Sequence, residues 1–279
     1  PRSGVRPTLE DVWNGKCKEE DLEGLGYLTW DELKIMQESG VVDVQSHTMT
    51  HAKYISSPVL KGFYYGGFKG FHPILNANPE LRPTYMRDPD FEKRLPWGAP
   101  LFEETSAVVV KKHFVNQEFI REITALAQQH NLQDATERPA YEKAARQLAD
   151  DFGRSGKLIE GIERDDDFRT RVAYEIVDSK RIIEEKLGKS VQFLCWPHGD
   201  NNSAAHTLAK ESGYLATTSG KMLNEQNQKD RIPRLAADFE NSPWVNRQKF
   251  HFKVASHYRK QPYYTFLKLN EFKNRALRR

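Results

Sequence analysis

Residues 191–218, Val191-Gln192-Phe193-Leu194-Cys195-Trp196-Pro197-His198-Gly199-Asp200-Asn201-Asn202-Ser203-Ala204-Ala205-His206-Thr207-Leu208-Ala209-Lys210-Glu211-Ser212-Gly213-Tyr214-Leu215-Ala216-Thr217-Thr218, hold four elements in succession. The apolar run Val191 to Trp196 has strand length and breaks into a turn from Pro197 to Asn202. A helix is predicted over Ser203 to Ser212, stopped by Gly213, and a second strand over Tyr214 to Thr218. Strand, turn, helix and strand in this order predict a parallel α/β sheet or barrel, with its binding loops at the carboxyl ends of the strands.

Upstream, Val172, Ile176, Ile183 and Leu187 recur at helical spacing and predict a helix over Phe168 to Leu187, with Gly188 as its C′ glycine. Weaker helical patterns cover Asn116 to His130 and about Pro139 to Phe152. From Ser56 to about Leu101, Gly, Pro and Asn predict a long irregular excursion, a feature usually tied to function. Val41, Val42 and Val44 predict a short strand ending at Ser46-His47. Thr29 and Glu32 form a capping box for a helix from Trp30 to about Ser39, stopped by Gly40. Residues 1–27 read as irregular.

The chain has 279 residues, enough for one large domain or two small ones. Charged residues make up 29% and hydrophobic ones 38%, which excludes collagen, coiled coil and wholesale disorder. No apolar run approaches the roughly 18–20 residues of a membrane span. Cys17 and Cys195 lie far apart without a CxxC partner, so neither a disulfide scaffold nor a cysteine zinc site is indicated. Charge is uneven: residues 247–279 hold ten Lys/Arg and one acid, Glu271. This tail, with a helix over Pro262 to about Leu277, reads either as a solvated helix docked by its aromatic face or as a patch for an acidic surface.

Ser46-His47-Thr48-Met49-Thr50-His51 places two histidines four apart directly after a strand. On a helical turn, residues four apart differ by about 40° around the axis, so both imidazoles would face one way, and the motif reads either as a pair that can hold one divalent metal or as a chance pair of surface histidines. Thr48 stands where metalloproteases carry their glutamate base, which excludes that chemistry. The Pro197-His198-Gly199 turn reads either as an ordinary βα loop or as one that aims a backbone N–H at an oxyanion. Phe63-Tyr64-Tyr65-Gly66-Gly67-Phe68-Lys69-Gly70-Phe71-His72 reads either as a sugar-stacking platform or as rings pinning the excursion to the domain. Trp97 and Trp244 carry the same two readings.

Taken together, Leu28-Thr29-Trp30-Asp31-Glu32-Leu33, Ser46 to His51, Tyr174 to Lys180 with Leu187-Gly188-Lys189, and Trp196-Pro197-His198-Gly199 resemble the polysaccharide deacetylase family, the NodB-homology domain of carbohydrate esterase family four. The resemblance covers residues 28–54 and 172 to about 235, roughly a third of the chain. It implies a single domain over 1–279 with a distorted, incomplete (β/α)7 barrel, a long insertion at about 52–171 and a basic C-terminal helical tail at about 247–279. The implied activity is metal-dependent removal of N-acetyl groups from an amino-sugar polysaccharide or glycan, by a hydrolase acting on carbon-nitrogen bonds other than peptide bonds. His47 and His51 would ligate the metal, usually zinc; the backbone N–H of His198 would stabilise the oxyanion, and Trp196, Pro197 and His198 would meet substrate. The implied partner is an N-acetylated glycan, not nucleic acid, and the implied location is the cell envelope.

Three departures qualify the match. The family's opening Thr-Phe-Asp-Asp-Gly motif, source of the catalytic base and third metal ligand, does not occur. The expectation is that the first strand and motif lie upstream of Pro1, leaving the isolated fragment inactive. Asp165-Asp166-Asp167 is the one acidic cluster in reserve, and it reads better as a helix N-terminus. The usual Leu-x-His general-acid motif is also missing; His198, His206, His251, His257, His72 and His113 are candidates by type alone. The segment from Ala52 to Arg171 exceeds what a simple domain needs. A second reading therefore stands beside the enzyme: a non-catalytic glycan-binding NodB-like module.

Overall fold

The computed structural model describes residues 5–22, 27–66, 75, 78–85, 88, 90–219, 229–232, 234 and 242–276. Strands β1 (Lys53–Phe63) and β2 (Pro100–Ser106) form one antiparallel pair, and β3 (His113–Val115) and β4 (Ile159–Ile162) another. Strands β5 (Phe193–Leu194), β6 (Ala216–Thr218) and β7 (Arg231–Ile232) pair in parallel in that order. Ser46 extends this sheet by one parallel bridge to Leu194. The expected α/β alternation is present, and each parallel neighbour follows the last in sequence. Among the described residues the sheets are small and no barrel closes.

The helix at Ser203–Glu211, capped by the Asn202 side chain on the Ala205 N–H, crosses between β5 and β6 and buries Ala205 and Ala209. Trp30–Glu38 begins with the expected reciprocal capping box between Thr29 and Glu32. The expected strand at Val41–Val44 is reduced to the Ser46 bridge, because Val41 is exposed and Val44 N–H bonds the Gln37 side chain instead of a neighbouring strand. The expected helix over Phe168–Leu187 is two α-helices, Asp165–Ala173 and Ser179–Leu187, joined by a π turn at Tyr174–Asp178. Asp165-Asp166-Asp167 forms the acidic first turn of this element.

Where it is described, the excursion is more ordered than its composition suggests. Its first part is the eleven-residue strand β1, which accommodates Pro58 where the register slips between Ile55 and Leu60. Helices Gln117–Gln128 and Arg138–Arg154 pack beneath this hairpin around Phe63, Phe102, Phe119, Ile123 and Tyr141. A second hydrophobic cluster, Val108, Val172, Ile176, Val191, Leu194, Trp196 and Tyr214 among others, fills the space between the parallel sheet and its helices. Helices Pro243–His257 and Tyr263–Ala276 form a C-terminal hairpin, so the basic tail is two helices rather than the one expected. Among the described residues no helix is long and apolar enough to cross a membrane.

Candidate functional site

The Ser46 bridge sets the histidine turn against the end of β5. Ser46 N–H donates to the Phe193 carbonyl at 3.3 Å, and Cys195 N–H donates to the Ser46 carbonyl at 2.9 Å. The Ser46 and Ser179 hydroxyls meet at 2.9 Å, tying the same strand to the helix behind it. Immediately beyond, Thr48 (φ 65°) and His51 (φ 54°) are left-handed, as is His198 (φ 57°) on the facing turn. Non-glycine residues in this region are strained and persist only where neighbours over-determine them; such strain clusters at functional sites.

The strained turns bring three imidazoles together. The ring centroids of His47 and His51 are 5.0 Å apart, and those of His51 and His198 4.4 Å. His47 Nδ1 lies 2.7 Å from the Cys195 carbonyl oxygen. A carbonyl only accepts, so Nδ1 carries the proton and the Nε2 lone pair is left for a metal or a proton. Burial, reinforced by the charges of His198, His47 and Arg82, lowers His51 to about 4, keeping it neutral and able to ligate. His198 is likewise held down, by burial and then by Lys53, with Asp200 opposing. Its Nε2 is buried without a hydrogen-bond partner. Hydrogen bonding to Cys195 holds His47 up against burial. Burial pushes the Cys195 thiol up, but His47 and Arg234 outweigh it and hold it down.

Two of the expected donors, His47 and His51, thus meet at one place with the right chemistry for a divalent cation. Among the described residues no group of three His, Cys, Asp or Glu side chains is disposed to hold a metal, so the two histidines alone do not make a complete donor set. Asp165-Asp166-Asp167 pairs with Lys111, Arg169 and Arg164 at its helix end. His206 bridges Thr217 (3.0 Å) and Asp230 (2.9 Å) as a clasp between helix and sheet. His251 meets Tyr263 edge to face in the C-terminal hairpin, as His257 does Tyr258, and His113 bonds the Lys111 carbonyl. His72 lies outside the described residues.

Around the turn, His198 is placed beside the pair, whereas Trp196 and Pro197 are buried. Trp196 is 0% exposed in the core, so it has no ring face to give a sugar. Strand alternation accounts for this: Leu194 and Trp196 share the face that packs on the helices. The aromatic platform resolves the same way where it is described, with Phe63 and Tyr64 buried and Arg138 lying over the rings of Tyr65 and Trp97. Residues 67–72 of that segment lie outside the described residues. Trp244 is exposed on the C-terminal hairpin.

Two residues that pattern reading missed hold the histidine turn. Glu175, from the π turn, accepts from Met49 N–H at 3.0 Å and Thr50 N–H at 2.9 Å, and also from the Thr50 hydroxyl. Arg82 donates to the carbonyls of Thr50 at 2.7 Å and His51 at 3.1 Å. Glu175 lies in the Tyr174–Lys180 stretch that carries the resemblance, but no local pattern marks its role, and Arg82 belongs to no motif, so only the fold reveals what they do.

Solved structures similar to the chain include two deacetylases. One is a de-N-acetylase from Aggregatibacter actinomycetemcomitans, with 18% identity and a TM-score of 0.39, the match covering 80% of this chain and 53% of that one. The other is the BpsB deacetylase domain from Bordetella bronchiseptica, with 15% identity, a TM-score of 0.36 and coverage of 75% and 48%. The chain thus spans about half the length of each. No family model matches it, and no curated protein matches it.

Proposed function

We propose that this chain carries the histidine half of the divalent-metal site of a hydrolase that removes N-acetyl groups from an amino-sugar polymer. The observation that supports this most is the convergence of His47 and His51, one with its Nδ1–H committed to a carbonyl and the other kept neutral by burial. His47 and His51 would hold the metal, zinc being the expected ion. When bound, it supplies polarisation of the acetamide carbonyl and acidification of a water. The protein's own part is positional. The Cys195 carbonyl orients the His47 ring, and the Pro197-His198-Gly199 turn is the proposed place for the backbone N–H that meets the oxyanion. The barrel of NodB-homology type, with the segment 52–171 as its insertion, is part of the same proposal.

The reading requires a third ligand and a carboxylate base beyond the two histidines. Its test is therefore made on the full-length protein, by acetate release from N-acetylglucosamine oligomers with zinc present and after chelation. Metal-dependent release, lost in His47→Ala and His51→Ala, is the expected result. Glycan binding that withstands both chelation and His51→Ala, without acetate release, would instead favour the non-catalytic module.

A further inference from the structure

Glu175 is 1% exposed and takes no part in the chemistry above. Burying a carboxylate is costly unless its lone pairs are filled, and here the residues between His47 and His51 fill them. Met49 N–H and Thr50 N–H converge on Oε2, and the Thr50 hydroxyl donates to Oε1. Thr50 is held at its carbonyl too, by Arg82, whose guanidinium bonds that oxygen and the carbonyl of His51. The grip falls between two left-handed residues, Thr48 and His51, whose conformations need external support. The carboxylate comes from a π turn, which presents Glu175 and Ile176 together to the interior. Such turns occur frequently at functional sites.

We infer that Glu175 is a positioning residue for the histidine pair: by clamping the Met49-Thr50 backbone from the π turn, it sets the mutual approach of His47 and His51 and hence the affinity of the site for a divalent cation. This rests on the metal-site reading proposed above. Partners that orient metal ligands typically control affinity by about 10–100-fold.

The test uses zinc calorimetry on the full-length protein as wild type, E175A, E175Q and H51A, with thermal unfolding and amide exchange at Met49 and Thr50. The glutamine of E175Q keeps one acceptor for the two N–H groups and offers its amide to the Thr50 hydroxyl oxygen, whereas E175A leaves all three donors unpaired. E175A should bind zinc about tenfold or more weakly and exchange faster at Met49 and Thr50; E175Q should stay within about threefold of wild type. Unchanged zinc affinity in E175A, with H51A impaired, overturns this inference alone. An equal loss in E175Q and E175A overturns it too. Equal affinity in wild type and H51A overturns the metal-site reading and this inference with it. Should E175A not fold, T50V removes the hydroxyl donor and leaves the carboxylate; a drop in zinc affinity supports the clamp, and unchanged affinity overturns it.

Discussion

Gly98 sits at φ +77°, and a Cβ there would stand 2.7 Å from Leu132 Cδ1 and 2.9 Å from the Tyr141 ring end. Its carbonyl also accepts the Tyr141 hydroxyl. Gly98→Ala should therefore cost about 2–4 kcal/mol, combining left-handed strain with overpacking, measured as a lower urea midpoint at unchanged slope. The same scale shows what a sequence can reveal about a site. His47 and His51 were legible because four-residue spacing is a local signal. Glu175 is 125 residues from Thr50, and Arg82 is 32 residues from it. A buried clamp of that kind looks in sequence like any solvated glutamate on a helix. Trp196 was legible as an aromatic before a Pro-x-Gly turn, but its inward orientation depends on the pleat of β5.

The helix Trp30–Glu38 was legible because its start signal is a reciprocal pair of side chains three apart. The structure adds Arg6, whose side chain meets Glu32 at 2.6 Å and, ahead of every other influence, lowers that carboxyl from its ordinary 4.5 to about 2. A carboxylate depressed on folding stabilises the native state above its unfolded pKa, and the contribution fades as pH falls from about 4.5 towards 2. The gap in thermal midpoint between wild type and Glu32→Gln should accordingly be widest near neutral pH and narrow steadily below pH 4.5. Strand β1 was not legible, because Pro58 and Gly62 argue against a strand until the slipped register of its partner β2 is known. Nor was the π turn, since one extra residue shifts a helical pattern by a fraction of a turn.

Across the molecule, Arg171 ties the helix Asp165–Ala173 to the two inserted hairpins. It pairs with Glu163 at 2.6 Å, donates to the carbonyl of Ala107 at 2.5 Å and to that of Val110 at 2.9 Å, and lies over the rings of Tyr54 and Phe168. Both side chains of the ion pair are largely shielded, at 12% and 7% exposure. Arg171→Leu would leave Glu163 buried and uncompensated, at a cost of about 3–5 kcal/mol in chemical denaturation. The alternation of strand and helix in residues 191–218 was enough to place the parallel sheet, whereas the contacts that hold the inserted hairpins together come from residues far apart in sequence. One consequence follows from the C-terminal hairpin. The stretch 247–279, which includes most of this hairpin, holds ten Lys/Arg against one acid, in a chain whose other residues carry 32 basic and 38 acidic groups. Such a separation is an electric dipole. The protein should be retained on a cation-exchange resin well beyond what its formal +3 suggests, and should meet any anionic polymer hairpin end first.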